Sequence, residues 1–262
     1  MIHCTESTVY SMRLAGIRTR QIAISMSFVT STLLVSRLSN MFQAPLLGAM
    51  VDSSIIEGTP ILSLETSFRV VIFAAFLGTL TGALFTSSSV RIYGTAITRF
   101  LKNGSLPKTF GSFFSISELK NWPHYIKLPS FSSLKNIVLS PIPKSFLIFN
   151  IIVTSVYTVG VLCSLLAGAI VPELRSTAIQ LSGIVNGIAT ILLTIYVDPA
   201  GARITDQTFH HKRPENHVKS VVFFLLAGRL LGTLILSQIL FKPFSIYIVE
   251  VTKFLSQYFV LG

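Results

Sequence analysis

Three stretches without a charged residue constrain this sequence most, because each is long enough to cross a lipid bilayer. Residues 70–90, 145–172 and 176–197 run for 21, 28 and 22 residues without Asp, Glu, Lys or Arg. A helix needs about 20 apolar residues to span the hydrocarbon core. The chain is 51% hydrophobic and only 12% charged, and a soluble domain would carry about twice that share of charge. These features predict an all-α, polytopic integral membrane protein and exclude soluble enzymes, secreted disulfide scaffolds and disordered chains.

The distribution of charge predicts the orientation in the membrane. Residues 91–144 contain eight Lys or Arg residues against Glu118 alone, whereas residues 52–65 contain three acidic residues and no basic one. Because basic residues collect in cytoplasmic loops, we expect a basic cytoplasmic loop at about residues 91–144 and place residues 52–65 outside. Alternation then puts the basic loop of residues 198–219 inside. The five spans predicted in this way are residues 21–51, 68–90, 146–171, 177–197 and 220–241.

Two further segments have weaker signals. Residues 1–17 are hydrophobic over most of a helical circumference but short, and they could form the C-terminal part of a first spanning helix. Residues 1–20 are too polar for the apolar region of a signal peptide. Residues 244–261 contain Glu250 and Lys253, so this segment could span the bilayer or lie in its interface. We therefore expect about six transmembrane helices within one integral membrane domain, residues 1–262. The two cysteines are too few for a disulfide framework or a four-ligand metal site, and we expect no metal and no cofactor.

The basic loop of residues 91–144 raises the alternative of nucleic-acid binding. Its Lys and Arg residues are spaced singly between Pro, Ser and Phe, which suits a loop lying along anionic lipid headgroups. Trp122, the only tryptophan, is a candidate anchor at the membrane interface. We therefore expect membrane lipids as partners of this loop, and no nucleic acid.

Polar side chains share one side of two apolar segments. At 100° per residue, five polar residues of the first span lie within an arc of about 100°, and Arg37 lies beside that arc. These five residues are Thr32, Ser36, Ser39, Asn40 and Gln43. In the N-terminal segment, four polar residues at i, i+3, i+7 and i+10 also share a face, namely His3, Glu6, Tyr10 and Arg13. Both faces indicate a polar path or packing surface inside the membrane.

Two arginines, Arg37 and Arg229, are expected within spans. Each costs about 2.5–3.5 kcal/mol to insert near the centre of a membrane helix, so such residues normally face a cavity or a partner. The structural alternative is an ion pair of Glu6 with one of them. Glu6 is the only acid expected at membrane depth before residue 198, so at least one arginine would remain available to bind an anion. Three Gly-x-x-x-Gly pairs, at residues 78 and 82, 183 and 187, and 228 and 232, predict close helix packing.

Several sequence blocks together resemble one known family. The longest are residues 13–25, RLAGIRTRQIAIS, and residues 35–48, VSRLSNMFQAPLLG. Shorter pieces follow in the same order, at residues 196–199, 205–206 and 227–233. Across nearly the whole chain, this arrangement resembles the Amj family of lipid II flippases, the alternate to the MurJ flippases.

The resemblance implies a transporter of the bacterial cytoplasmic membrane and not an enzyme. Its substrate would be lipid II, the undecaprenyl-pyrophosphate-linked peptidoglycan precursor, which would move from the inner to the outer leaflet for cell wall synthesis. Such a path needs a cationic, polar groove, in which Arg is preferred because it contacts phosphate through two N–H groups. The candidate substrate-binding residues are Glu6, Tyr10, Arg13, Arg18, Ser36, Arg37, Ser39, Asn40, Gln43 and Arg229.

Two other classes of function remain as alternatives. A membrane-embedded enzyme acting on a lipid-linked pyrophosphate, such as a phosphatase, would need a nucleophile and a base near the arginines. After His3 and Glu6, no second carboxylate or histidine is expected at membrane depth. A non-transporting scaffold of the cell-wall machinery would not explain arginines within spans.

Overall fold

The computed structural model describes residues 1–115, 120–127, 135, 137–139 and 142–260, except for the side chains of residues 259 and 260. Within these ranges every regular element is helical, as predicted. The α-helices are α1 (Ile2–Val9), α2 (Met12–Thr19), α3 (Ile22–Ile56), α4 (Ile61–Leu84), α5 (Thr86–Asn103), α6 (Leu106–Ser112), α7 (Trp122–Tyr125), α8 (Lys144–Ile170), α9 (Arg175–Leu192), α10 (Asp198–Phe209), α11 (Glu215–Leu231) and α12 (Ser237–Val260). A short 3₁₀ turn, Pro172–Leu174, precedes α9, and two π-helical segments follow α9 and α11 at Leu193–Val197 and Gly232–Leu236.

Five helical stretches in the described part of the chain are long and apolar enough to cross a membrane. They are Ile22–Ile56, Ile61–Leu84, Lys144–Ile170, Pro172–Phe209 and Glu215–Tyr258. Each overlaps one of the five predicted spans. The largest difference is in the second span, where the helix ends at Leu84 instead of continuing to residue 90, and α5 begins at Thr86. The last stretch runs for 44 residues, about twice what a span needs, because the predicted segment 244–261 continues the helix of the preceding span. The observed number of five agrees roughly with the expected six.

The N-terminal segment is not one helix. It breaks between α1 and α2, where Ser11 N–H donates to Thr8 and Arg13 N–H donates to Tyr10 over three residues instead of four. Each of the two helices has eight residues, too few to span a bilayer alone. The predicted continuous face from His3 to Arg13 is therefore wrong, because the break interrupts the helical spacing.

Much of the predicted basic loop is helical. Helix α5 buries Val90, Ala96 and Ile97 on one side and exposes Arg91 and Lys102, so it is amphipathic rather than an extended strand of loop. Helix α6 follows after the left-handed Gly104. The indole of Trp122 donates to the carbonyl of Phe113 at 3.3 Å, so the expected interface anchor also packs against protein. Residues 116–119, 128–134, 136, 140 and 141 of this loop lie outside the described residues.

The chain divides into two compact units. Unit 1 comprises Met1–Arg37, Gly78–Pro143 and Pro199–Ala227, and unit 2 comprises Leu38–Leu77, Lys144–Asp198 and Gly228–Gly262. The core of unit 1 contains Met12, Ala15, Phe28 and Ile97. The core of unit 2 is arranged along α8, which is largely buried. The single membrane domain of residues 1–262 stays a prediction.

Two of the three glycine pairs lie in close helix contacts, as predicted. In unit 1, a Cβ on Gly82 would lie 2.6 Å from the Cβ of Ser7. In unit 2, a Cβ on Gly232 would lie 2.9 Å from the carbonyl oxygen of Ile151. The prediction is wrong for Gly183 and Gly187, since no described heavy atom lies within 4 Å of a Cβ at either position. A glycine pair permits close packing but does not supply the neighbouring helix.

Candidate functional site

Arg229 is the most deeply buried candidate arginine. It lies near the C-terminal end of α11 in unit 2, and only 8% of the residue is exposed. It takes part in a noncovalent interaction, and its backbone carbonyl accepts a hydrogen bond from Thr233 at 2.9 Å. The adjacent Gly228 lets the buried Asn150 of α8 approach, since a Cβ there would lie 3.1 Å from Asn150 Cγ. An arginine and an amide therefore lie beside one helix crossing inside the apolar core.

The two π-helical segments both pack against α8 within unit 2. Segment Gly232–Leu236 begins three residues after Arg229, and its first carbonyl accepts a hydrogen bond from Ser155 at 3.1 Å. Segment Leu193–Val197 contains Tyr196, whose ring stacks on Phe149 with 4.2 Å between ring centroids. Short π segments inside α-helices occur frequently at functional sites. Sequence analysis missed both, because no residue type marks a π turn.

Glu6 lies on α1 in unit 1, where it is half-buried. The hydroxyl of Ser36 on α3 donates to its Oε1 at 2.8 Å, which brings together two of the candidate residues. The alternative ion pair of Glu6 with Arg37 does not form: Arg37 is exposed and makes no hydrogen bond or ion pair with a described residue. Arg37 therefore remains available to an external anion.

The predicted polar face of α3 is carried by one unbroken helix, although its members differ in exposure. Ser36 is buried, Ser39 and Gln43 are half-buried, and Asn40 and Arg37 are exposed. The exposed apolar side chains near Arg37 on this helix are Leu34, Leu38 and Met41. Arg37 thus has an apolar environment that does not offset its charge.

Tyr10 and Arg13 lie where the N-terminal segment bends. Tyr10 is in the break between α1 and α2, and Arg13 is half-buried on α2. The Arg13 guanidinium lies against Gly201 of α10, where a Cβ would come within 3.2 Å of Nη1. Both residues take part in further polar or ring interactions. Gly201 therefore permits an arginine to pack flat on a neighbouring helix.

Arg18, another candidate, is held by a carboxylate. Its Nε and Nη2 donate to Glu215 Oε1 at 3.1 and 2.8 Å, and Lys219 Nζ lies 3.3 Å from the same oxygen. The pair is partly exposed, so it stabilises the fold by at most about 1 kcal/mol. Glu215 therefore forms ion pairs with two cations, Arg18 and Lys219.

A cavity of about 470 Å³ lies beside this ion pair in unit 1. Its lining includes Arg20, Lys212, Arg213 and Glu215. None of the three cations forms an ion pair with a carboxylate in the described ranges. Sequence analysis placed Arg20 and residues 198–219 on the cytoplasmic side but did not bring them together, because about 190 residues separate the two segments.

A second cavity, of about 650 Å³, lies on α2 and α5 in unit 1. Its lining includes the side chains of Arg18, Thr19, Arg91, Thr98, Asn121 and His124. Arg18 thus lines this cavity while it contacts Glu215, which lines the first one. The hydroxyl, amide and imidazole groups can exchange hydrogen bonds with a polar, uncharged ligand.

Ion pairs join helices within unit 2. Glu65 on α4 accepts from Arg69 at 2.9 Å and lies 3.5 Å from Lys242 Nζ on α12. Arg69 also donates to the backbone and side-chain oxygens of Gln238. Asp52 and Arg175 form a second ion pair. Sequence analysis assigned these acids to the outer side but identified no partners for them.

No group of three His, Cys, Asp or Glu side chains in the described residues is placed to hold a metal ion.

Three comparisons with known proteins bear on the identity of the chain. The family model described as Amj, alternate to MurJ, matches residues 1–252. The lipid II flippase Amj of Bacillus subtilis (strain 168) is 37% identical over 254 residues, which cover 97% of this chain and 93% of that protein. No solved structure matches the chain.

Proposed function

The chain belongs to the Amj family, the alternate to MurJ, and from this premise we propose that it moves lipid II across the bacterial cytoplasmic membrane. The direction is from the inner to the outer leaflet, where peptidoglycan is assembled. The proposal makes the chain a transporter that binds and releases its substrate without breaking a covalent bond. The support for this substrate is the Bacillus subtilis relative, a lipid II flippase that matches nearly the full length of this chain.

The observation that carries the proposal is the buried arginine of a spanning helix. A helix that only contacted lipid would exclude Arg229, since a central arginine costs about 2.5–3.5 kcal/mol to insert. This residue is 8% exposed in a stretch with otherwise high hydropathy. Buried cations of this kind mark pathways for charged groups, and the pyrophosphate is the charged group of the proposed substrate.

We propose that Arg37 contacts the pyrophosphate during translocation. It is a cation of a spanning helix that no described group neutralises, and a guanidinium can donate two parallel hydrogen bonds to phosphate. Hydroxyl and amide groups of the same helix would then face the sugars. The full set of proposed substrate-binding residues is Glu6, Tyr10, Arg13, Arg18, Ser36, Arg37, Ser39, Asn40, Gln43 and Arg229.

We further propose that residues 91–144 face the cytoplasm and residues 52–65 the outside. The segment with Arg18 and Arg20 and the segment 198–219 are both basic, and alternation of spans assigns both to the cytoplasm. In keeping with this, Arg18 bonds to Glu215 and Arg20 bonds to His211. Two segments assigned to opposite sides could not have made these contacts.

The test is reconstitution of the purified protein into liposomes with fluorescent lipid II. We expect exchange of lipid II between leaflets, measured as fluorophore that becomes accessible to an impermeant quencher, with no release of phosphate. Empty liposomes provide the background rate. Release of phosphate would favour the membrane-embedded enzyme, and neither activity would favour a scaffold.

A further inference from the structure

The cationic cavity of unit 1 is formed where three helix ends meet. Ile17 and Arg20 come from the C-terminal end of α2, and His211 and Lys212 follow the C-terminal end of α10. Glu215 begins α11 and completes the wall. The cavity of about 470 Å³ is large enough for a phosphate-bearing group and its nearest neighbours.

The charge of the lining is strongly positive. Arg20, Lys212 and Arg213 line the cavity and have no carboxylate partner in the part of the chain that is described. The one acid in the lining, Glu215, is already bound by Arg18 and Lys219. Three like charges around one space repel one another until an anion enters. The lining is therefore complementary to a group with more than one negative charge.

The backbone holds two of the lining side chains in place. Arg20 and His211 are the two non-glycine residues with positive φ in the described chain, both at 58°. Each closes its helix by a left-handed turn, in which Gln21 N–H donates to Gly16 and Lys212 N–H donates to Gln207. The side chains of these two residues then meet, since Arg20 Nη2 lies 2.6 Å from His211 Nε2. These two turns fix the directions in which the chain leaves the two helices beside the cavity.

We propose that this cavity binds the diphosphate of the lipid-linked substrate at the cytoplasmic surface, before the substrate enters the membrane path. The inference rests on the proposed function and adds a docking site separate from Arg37 and its helix. Arg20 and Arg213 can each contact a phosphate through two N–H groups, and Lys212 supplies a third charge. A diphosphate matches three cations better than the single phosphate of a common anionic phospholipid.

Polar groups in the lining of the second cavity favour the same ligand. Arg18 lines it, and through Glu215 the two cavities share one ion pair. Thr19, Thr98 and Asn121 there offer hydrogen bonds to hydroxyl and amide groups. The sugars that follow the diphosphate in the substrate need such partners.

The test measures binding of fluorescent lipid II to the full chain in phosphatidylcholine nanodiscs. We expect Arg213→Gln to weaken binding about tenfold, the loss of one charge-assisted contact, and the Arg20→Gln/Lys212→Gln/Arg213→Gln variant to weaken it further. Arg203→Gln is the matched control, because Arg203 is an exposed arginine of α10 outside the lining. Undecaprenyl diphosphate should compete with the probe, and phosphatidylglycerol at the same concentration should not. Arg213→Lys keeps the charge and should restore part of the affinity, which separates lost binding from lost folding.

The outcomes separate this inference from the proposed function. Equal binding by the wild type and the triple variant would overturn the docking site, and lipid II exchange by the wild type would still support the flippase. Binding that depends on the three cations, without leaflet exchange in liposomes, would support the docking site and overturn the flippase. Equal competition by phosphatidylglycerol would overturn the assignment to a diphosphate.

Discussion

The two units of the chain differ sharply in charge. Unit 1 contains fifteen of the 21 basic residues and four of the ten acidic ones, so it carries the whole net charge of +11. Unit 2 contains six residues of each sign and is neutral. Apart from Lys144 and Asp198, the segments that the positive-inside rule assigns to the cytoplasm fall in unit 1. The charge bias that orients a membrane protein therefore coincides here with a division of the fold.

The charges also have different partners in the two units. In unit 2, Arg69 and Lys242 share Glu65, and Arg175 binds Asp52. In unit 1, the described cations outnumber the acids, and several of them line a cavity or are exposed without a carboxylate. The comparison indicates that the paired cations of unit 2 hold helices together, with Arg229 as the proposed exception. Several cations of unit 1, such as Arg20, Arg37 and Arg213, are instead available to an anionic ligand.

The largest effect expected is an all-or-none difference in accessibility between the two units. In a variant without Cys4 and Cys163, a cysteine at the exposed Thr59 of unit 2 should react with an impermeant thiol reagent added to intact cells. A cysteine at the exposed Lys102 of unit 1 should react only after the cells are permeabilised. Reaction of the second cysteine in intact cells would contradict the proposed orientation.

The next effect concerns transport and the unpaired Arg37 of unit 1. Arg37→Ala should remove a charge-assisted contact worth about 1.5–3 kcal/mol, a loss of roughly 10–150-fold in substrate affinity. Because Arg37 is exposed and bonds to no described group, the amount of folded protein should not fall. The measurement is complementation of cells that lack every other flippase, together with the abundance of the variant in the membrane.

Two controls sharpen this result. Arg37→Lys keeps the charge but not the planar fork, so growth should be intermediate. Arg229→Ala in unit 2 removes a buried group and should lower the abundance of the protein as well as its transport. Full complementation by Arg37→Ala would exclude Arg37 from the transport path.

A smaller effect is expected on the stability of unit 2. Glu65→Gln should lower the free energy of unfolding by about 1–3 kcal/mol, since it leaves Arg69 and Lys242 without their shared carboxylate. The side chain of Glu65 is only 10% exposed, so solvent replaces little of the lost interaction. The thermal unfolding midpoint of the protein in detergent measures the change.

The smallest effect is expected for the same substitution in unit 1. Glu215→Gln should cost less than about 1 kcal/mol, because the pair with Arg18 is partly exposed and each side chain remains solvated. A loss as large as that of Glu65→Gln would mean that the ion pairs of the two units have equivalent structural roles. That result would remove the contrast between them.

Sequence analysis could predict the features that depend on short stretches of the chain. The all-α fold and the five spans follow from charge-free stretches such as residues 145–172, because the cost of inserting a charge acts on each segment separately. The close contacts at Gly82 and Gly232 could be predicted as well, since small residues permit the approach of backbones. The family could be identified from residues 13–25 and 35–48 for a different reason, namely their specific order of residues.

Features that depend on a partner helix could not be predicted. Residues 91–103 look like a loop because of their charges, but α5 buries one face against α2 and is therefore a helix. The pair Gly183 and Gly187 has the same spacing as the others, yet no heavy atom of the described residues lies within 4 Å of a Cβ at either position. The cationic cavity lies beside two helix ends with left-handed residues, Arg20 and His211. Neither arginine nor histidine is specific enough for this conformation to predict it from the sequence.

The π segments determine which side chains of the two longest apolar stretches, Pro172–Phe209 and Glu215–Tyr258, face α8. Each π turn takes in one residue more than an α turn, so a wheel drawn at a constant 100° per residue goes out of phase across Leu193–Val197 and across Gly232–Leu236. The side chains that face α8 before each segment and after it therefore do not follow one constant helical spacing. Deleting one residue inside Gly232–Leu236 would rotate everything that follows, including Gln238 and Lys242, without shortening the apolar stretch appreciably. In homologues with a single-residue insertion or deletion at one of these two places, we expect a different set of side chains to face α8 along the whole following part of the helix.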